Sequence, residues 1–270
     1  MLATRHGKAA AIAPALAPLG LQVVTSDAVD TDRFGTFTGT VARAGSMREA
    51  ARAKALAGFD VMPEADFAIA SEGAFGPHPA APFATADLEL VLLRDRSGLF
   101  EVAVERVAIE TRAMTRIVRS LDDALVAARE AGFPEHALLV RDGADPTTKA
   151  PPRASLVQDE ATFVHHVREA LAAAGAALVA NDLRAHANPT RMRAIREAAD
   201  LLAARLASRC PSCGRPGWHG RPEGRLPCAV CGSPTNVPGA DVFQCDGCDH
   251  RVRVARDGKA DPSKCPRCNP

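Results

Sequence analysis

Short apolar runs alternate with amphipathic segments of helical period throughout residues 1–208. The apolar runs predict strands at residues 1–4, 22–26, 67–71, 88–95, 99–111, 137–141 and 177–181. The periodic segments predict helices at residues 8–19, 46–57, 121–131, 160–174 and 189–207. Because strands and helices alternate, we predict an α/β domain with a mostly parallel mixed sheet and helices on both faces.

Local signals support several of these boundaries. Ser46 and Glu49 form a capping-box pattern at one helix start, and Asn188 followed by Pro189 is typical of another. The turn sequence Asp-Arg-Ser-Gly at residues 95–98 joins two apolar runs, so we expect an antiparallel hairpin there.

All eight cysteines lie beyond residue 209, in four C-x-x-C pairs. The pairs are Cys210/Cys213, Cys228/Cys231, Cys245/Cys248 and Cys265/Cys268. Two residues between thiols let both sulfurs face one ion, and two such pairs complete a tetrahedral site. We therefore predict two structural Zn²⁺ ions, an α/β ligand-binding or catalytic domain at 1–208 and a small double zinc-ribbon module at 209–270.

The sequence leaves the pairing of these cysteines open. Two ribbons in series, in which adjacent pairs share an ion, form the simplest arrangement. In an interleaved alternative the first pair joins the third and the second joins the fourth. A disulfide framework is a further alternative, but the long cysteine-free stretch before residue 210 argues against it.

Charge gives little indication of a partner. The formal net charge is +1, so bulk electrostatics indicates no polyanionic partner. Residues 209–270 contain ten Lys/Arg and six Asp/Glu, and zinc-bound thiolates would make the module about neutral. Nucleic-acid binders usually combine a basic face with stacking aromatics, of which Trp218 and Phe243 are the candidates here. A structural or protein-contact role is favoured, and nucleic-acid binding around Arg251 and Arg253 is the alternative.

No apolar stretch approaches the roughly 20 residues of a membrane span, so we expect no membrane partner and a cytoplasmic protein. The apolar run after Arg5 and Lys8 also fits a signal peptide. Pro14, Pro18 and Gly20 interrupt that run, which favours the cytoplasmic interpretation.

Polar segments follow the predicted strands. If the strands are parallel, these segments meet at one edge of the sheet, where ligands of open α/β folds bind. The candidate ligand-binding residues in them are Arg5, Lys8, Asp30, Asp32, Arg33, Asp182, Arg184 and His186. Lys8 follows Gly7 at a helix start, a position whose free N–H groups and dipole suit a phosphate.

The segment SEGAFGPHP at residues 71–79 supplies candidate catalytic residues. Glu72 fits a catalytic or metal-binding carboxylate, with an exposed turn residue as the alternative. His78 is restrained between two prolines, which fits a site role, and a histidine that packs within a turn is the alternative. Glu49 either binds a metal or only completes its capping box. His165 and His166 lie in mid-helix, and we expect them at the surface.

The segments ATRHGK, DTDRFGTFTG, SEGAFGPHP and DLRAHANPTRM, together with the C-terminal cysteine pairs, resemble an uncharacterised bacterial family. That family is a domain of unknown function with terminal zinc-binding pairs. The resemblance spans nearly the whole chain and implies no known activity.

Residues 2–95 remotely resemble the inosine/xanthosine triphosphate pyrophosphatase superfamily, which hydrolyses non-standard nucleoside triphosphates with Mg²⁺. ATRHGK is similar to its lysine-containing loop, with Lys8 at the lysine. MREAARAKA and AIASEGAF are similar to its two acidic motifs, with Glu49, Lys54 and Glu72 at the matching positions. The resemblance implies a Mg²⁺ ion at Glu49 and Glu72 and phosphate contacts from Lys8 and Lys54.

Together these features predict metal-dependent binding of a phosphorylated small molecule, most concretely a nucleotide, with hydrolysis of a phosphoanhydride as the reaction. The alternative is a non-catalytic zinc-ribbon protein that binds RNA or a protein partner.

Overall fold

The computed structural model describes residues 1–270 apart from 5, 6, 27, 36–40, 42, 44, 149 and 246, and does not describe the side chain of Asp32. The chain divides into two compact units. Met1–Leu202 is here named the α/β unit, and Ala203–Pro270 is named the cysteine-rich unit. In the described part of the chain, no helix is both long enough and apolar enough to cross a membrane.

The α/β unit contains two four-stranded sheets. The first sheet consists, in spatial order, of β1 (Leu2–Ala3), β2 (Phe67–His78), β3 (Ala81–Asp95) and β4 (Glu101–Ala108). The strands of the second are β5 (Thr115–Val118), β6 (Leu138–Asp142), β7 (Ala154–Val157) and β8 (Ala177–Asn181), in the spatial order β5-β8-β6-β7.

In the described part of the chain, five α-helices accompany these sheets, each at a position that the sequence predicts. They are α1 (Ala9–Leu16), α2 (Met47–Val61), α3 (Leu121–Glu130), α4 (Glu160–Ala174) and α5 (Pro189–Ala207). The capping box of α2 is present, because Ser46 Oγ accepts from Glu49 N and the Glu49 carboxylate accepts from Ser46 N at 2.7 Å. At the start of α5, Asn188 Oδ1 accepts from Arg191 N at 3.0 Å.

The sheets are mostly antiparallel, so the predicted mostly parallel sheet is wrong. In the first sheet β1 and β2 pair in parallel, whereas β2, β3 and β4 form an antiparallel meander. In the second sheet, β5 and β6 run in the same direction and α3 connects them along the chain, as the alternation of strands and helices predicts. However, β8 lies between them and pairs antiparallel with both, which replaces the expected parallel ladder.

Three further details differ from the sequence-based expectation. Residues 22–26 contribute only an isolated bridge, Leu2 to Thr25, rather than a strand. The segment 71–78 is not a loop but the second half of β2, which pairs with β3 over its whole length. The short strands β5 and β7 were not predicted. The hairpin around residues 95–98 is present as β3 and β4, which confirms that prediction.

Separate apolar clusters support the two sheets. On the first sheet, α2 places Ala51, Ala55 and Phe59 against one face, which includes Leu90 and Leu92. On the second, α3 and α4 cover a face around Phe163, which is fully buried. A buried side chain of this kind contributes about 2 kcal/mol through the removal of apolar area from water.

The cysteine-rich unit contains one small antiparallel sheet. Its strands β9 (His219–Glu223), β10 (Ala240–Gln244) and β11 (Arg251–Ala255) form a meander with β10 in the centre. Outside the strands, two short turns carry the first two cysteine pairs, and each is closed by an antiparallel bridge: Arg209 to Pro216, and Pro227 to Pro234.

Candidate metal centres and a buried charge cluster

The eight cysteines form two groups of four. One group contains Cys210, Cys213, Cys245 and Cys248, and the other contains Cys228, Cys231, Cys265 and Cys268. Within each group all four sulfur atoms lie within 4.8 Å of one another. The first pair therefore joins the third and the second joins the fourth. The serial arrangement is wrong, and the interleaved alternative is confirmed.

The three-stranded meander explains this interleaving. Each strand carries the chain from one end of the sheet to the other, and one cysteine pair lies before, between or after the strands. The first and third pairs therefore reach one end of the sheet, and the second and fourth reach the opposite end. Pairs that are adjacent in sequence cannot meet, because a strand separates them.

The sulfur positions fit tetrahedral zinc. Four sulfurs at about 2.3 Å from a central ion lie about 3.8 Å apart. The measured Sγ–Sγ distances are 3.8 Å for Cys210–Cys248 and 3.6 Å for Cys213–Cys245. In the second group they are 3.9 Å for Cys228–Cys268 and 3.6 Å for Cys231–Cys265. These distances exceed a disulfide bond of about 2 Å, and all eight thiols are free, so each group can bind one zinc ion.

The backbone geometry of the turns that carry the first two cysteine pairs suits metal binding. Gly214 and Gly232 directly follow the second cysteine of each turn, and their φ angles are +72° and +73°. Residues that carry a side chain rarely adopt this backbone conformation, so glycine is required there. Hydrogen bonds from Ser233 lower the pKa of the Cys231 thiol, whereas the hydrogen bond with Cys231 raises the pKa of Cys268 in the same group, so the first proton leaves this group from Cys231.

A second group of polar side chains is buried in the α/β unit around Lys8. Lys8 precedes α1, and its side chain is almost fully buried. Its Nζ donates to Ser71 Oγ on β2 at 2.9 Å. Burial lowers the pKa of Lys8 to about 7, and the positive charge of Arg191 acts in the same direction, whereas Glu89 opposes it.

Lys54 and Glu72 form a buried ion pair next to this lysine. Lys54 Nζ on α2 contacts Glu72 Oε1, and Arg43 Nε lies 3.6 Å from Glu72 Oε2. Strand alternation directs Glu72 and Ser71 to opposite faces of the sheet, so Glu72 lies on the α2 face and Ser71 faces Lys8. Lys8 nevertheless interacts electrostatically with Lys54 and Glu72, so the two faces share one electrostatic environment.

A carboxylate pair and an arginine complete the group, here named the Lys8 cluster: Lys8, Arg43, Lys54, Ser71, Glu72, Asp87, Glu89 and Arg191. Arg191 Nε on α5 donates to Glu89 Oε1 at 2.6 Å, and both side chains are fully buried. Burial, and then the charge of Glu89, raise the pKa of Asp87 to about 8. Asp87 therefore holds a proton at neutral pH and shares it with Glu89.

The remaining predicted site residues lie outside this cluster. Glu49 is exposed, and its contacts are those of the capping box. His78 ends β2, and its Nδ1 accepts from Ala80 N at 3.1 Å within the turn to β3. Asp30 and Arg33 are exposed, and the Arg33 guanidinium lies over the Phe34 ring. Arg5 and the side chain of Asp32 lie outside the described residues.

Asp182, Arg184 and His186 follow β8. Buried Asp182 accepts from Arg184 Nε at 2.9 Å, so these two residues form an ion pair with each other. The Cβ of His186 lies close to Gly7, at 3.8 Å from the position that a Cβ of Gly7 would take. His186 is therefore adjacent to the start of α1, and burial followed by the charge of Arg184 lowers its pKa.

The sequence pattern does not single out five members of the Lys8 cluster: Arg43, Ser71, Asp87, Glu89 and Arg191. Asp87 and Glu89 carry a signal that could have been used. They stand two residues apart in an otherwise apolar strand, so both carboxylates face the same side of the sheet. Arg191 carries no comparable signal, because its partner Glu89 lies 102 residues away.

The Mg²⁺ site predicted at Glu49 and Glu72 is not supported. Among the described residues, neither carboxylate belongs to a group of three metal-ligating side chains within 4.8 Å. One such group besides the cysteines contains His165, His166 and Glu169 on α4. Glu169 also accepts a hydrogen bond from Arg153 Nη1 at 3.2 Å, and the positive charge of Arg153 opposes metal binding.

A family model described as a domain of unknown function (DUF6671) matches residues 54–270. No curated protein and no solved structure matched the chain. These comparisons do not confirm the resemblance to the inosine/xanthosine triphosphate pyrophosphatase superfamily.

Proposed function

We propose that this chain, which belongs to the DUF6671 family, binds a phosphorylated small molecule at the Lys8 cluster of its α/β unit. The observation that carries the proposal is that buried Lys8 forms its hydrogen bond with a neutral group and not with a carboxylate. In the described part of the chain, its hydrogen-bond partner is the neutral hydroxyl of Ser71, and no carboxylate lies within ion-pairing distance.

The charge balance of the cluster favours an anionic ligand. Lys54 pairs with Glu72, and Arg191 pairs with Glu89, so these cations are already neutralised. Protonated Asp87 contributes no negative charge at neutral pH. Lys8, whose pKa of about 7 leaves it about half protonated at neutral pH, and Arg43, which shares Glu72 with Lys54, therefore give the cluster more positive than negative charge. A phosphate would supply the missing negative charge, and the positive end of the α1 dipole would act in the same direction.

The pKa of Lys8 provides a direct test of this proposal. An anion beside Lys8 would raise that pKa from about 7, so binding should take up a proton near neutral pH. Calorimetry with pyrophosphate and nucleoside triphosphates, in buffers of different ionisation enthalpy, measures the proton uptake. We expect Lys8→Met to weaken binding by about tenfold or more. The matched control, exposed Lys259→Met, should bind as the wild type does. Equal binding by both variants, or binding without proton uptake, would contradict the proposal.

Hydrolysis of a bound phosphoanhydride would be a property beyond binding, and it requires its own experiment. Glu72 is held by Lys54 and Arg43, so it can orient a ligand or a water molecule only as part of this network. Incubation with Mg²⁺ and a nucleoside triphosphate panel, with phosphate and pyrophosphate as readouts, tests turnover. Activity that is lost in Glu72→Gln supports a catalytic role for Glu72, and activity unchanged in that variant removes it.

A further inference from the structure

One face of the small sheet in the cysteine-rich unit carries an arginine-lined pocket. Its volume is about 340 Å³, within the range of small-ligand pockets. The lining includes His219, Arg221, Glu223, Val242, Gln244 and Arg251. Strand register places Arg253 on the same face, directly opposite Val242.

Among the described residues of this face, cations exceed carboxylates. Arg251 Nη2 lies 3.1 Å from Glu223 Oε2, and Arg253 Nε lies 3.9 Å from Glu223 Oε1. One carboxylate is therefore shared by two guanidiniums, whose side chains remain more than half exposed. Arg221 adds a third guanidinium. Its Nε donates to His219 Nε2 at 3.2 Å, and His219 Nδ1 lies 3.0 Å from Gly217 O.

The opposite face of the sheet holds the aromatic side chains, which pack on one another. Trp218 stacks on Phe243 and on His250, with ring centroids 5.7 and 5.3 Å apart. These rings are not available as a platform beside the arginines, because alternation directs Phe243 away from Val242 and Gln244. Among its described lining residues, the pocket thus offers guanidiniums and one imidazole but no Phe or Trp ring, which suits recognition of an anionic group rather than of a base.

We infer that this pocket binds a phosphate group, as a second anion site that is independent of the Lys8 cluster. Guanidinium groups bind phosphate oxygens in a bidentate manner, and Gln244 offers an additional amide donor. The phosphate belongs either to the backbone of a single-stranded nucleic acid or to a free phosphate ester. Both sources present the same chemistry to Arg221 and Arg251.

Two variants with opposite expected effects test the inference on the full chain. Anisotropy of a labelled single-stranded oligouridine measures one source, and calorimetry with uridine monophosphate measures the other. The double variant Arg221→Gln/Arg251→Gln should weaken binding by about tenfold or more, and wild-type binding should fall as salt rises. Glu223→Gln should strengthen binding severalfold, because it releases Arg251 and Arg253 from their shared carboxylate.

Exposed Arg225→Gln is the matched control, since it removes one positive charge of the same unit outside the pocket. Retained zinc and Trp218 fluorescence show that each variant is folded. Oligouridine binding alone identifies a nucleic-acid strand, and monophosphate binding alone identifies a free ester; either result supports the site. If neither probe binds, or if Arg225→Gln weakens binding as much as the double variant does, the inference is overturned.

Discussion

Gly73 lies in β2 where the strand passes against the Glu89–Arg191 ion pair. A Cβ at this position would lie 2.4 Å from both Arg191 Nη2 and Glu89 Oε1. Neither partner can move freely, because both side chains are fully buried. The glycine of the SEG segment is therefore explained by close packing and not by a turn.

We expect Gly73→Ala to lower the free energy of unfolding by about 1–3 kcal/mol, as overpacking of a buried site does. Urea denaturation followed by far-UV circular dichroism measures this change. Gly76→Ala is the matched control in the same strand, because nothing lies within 4 Å of its added Cβ. A cost no larger for Gly73 than for Gly76 would show that the ion pair does not occupy the described position.

Asp87 should make the stability of the α/β unit depend on pH. Its pKa is about 8 in the folded protein and near 3.8 in the unfolded chain, so between these values the folded state binds more protons. The free energy of unfolding therefore falls as pH rises through this window. Asn cannot lose a proton, so Asp87→Asn should be more stable than the wild type at pH 7 by about 1 kcal/mol or more.

This advantage should disappear near pH 4, where Asp87 is protonated in both states. Urea denaturation of the two proteins across the window measures it. Asp60→Asn removes an exposed carboxylate from α2 and controls for the change in surface charge. An advantage that does not depend on pH would contradict the buried, protonated state of Asp87.

At the scale of elements, the meander β9-β10-β11 determines which cysteines share a metal. Two double variants distinguish the interleaved from the serial pairing of cysteines: one removes two thiols of the same site, and the other removes one thiol from each site. Cys213→Ser/Cys245→Ser disrupts a single site and should leave about one zinc per chain, whereas Cys213→Ser/Cys231→Ser disrupts both sites and should leave almost none.

Zinc content per chain, measured by elemental analysis, decides between them. A serial arrangement predicts the reverse order, because Cys213 and Cys231 would then belong to the same site. Each double variant removes two thiols, so each is the control for the other.

At the scale of the whole molecule, the two compact units carry different probes. Trp218 lies in the cysteine-rich unit and is the single tryptophan of a chain without tyrosine. The helices α1, α2, α3 and α4 lie in the α/β unit. Fluorescence therefore reports on one unit, and circular dichroism at helical wavelengths reports mainly on the other.

We expect a strong chelator to change Trp218 fluorescence while most of the helical signal remains. Small zinc sites supply much of the folding free energy of their domains, whereas the two sheets of the α/β unit have apolar clusters of their own. Restored fluorescence after zinc addition is the control for irreversible damage. Simultaneous loss of both signals would show that the α/β unit depends on the metal.

Features that depend on near neighbours in the chain follow from the sequence alone. The helix starts at Ser46 and Asn188 follow from side chains within three residues, and the eight candidate zinc ligands follow from the two-residue spacing of thiols. Lys8, Lys54 and Glu72 were selected from motif patterns, and the structure brings them within electrostatic reach.

Which of these features meet in space depends on the tertiary structure. In the second sheet of the α/β unit, β8 pairs with both β5 and β6. In the cysteine-rich unit, the strand directions bring alternate cysteine pairs together. Helix α5 places Arg191 beside Glu89. The physical reason is that these contacts depend on the burial of apolar faces and on pairing between distant strands. Local spacing carries no information about burial or about strand pairing. The polar residues of β2 and β3 therefore meet through the pairing of these strands, and not in loops at a common edge of the sheet.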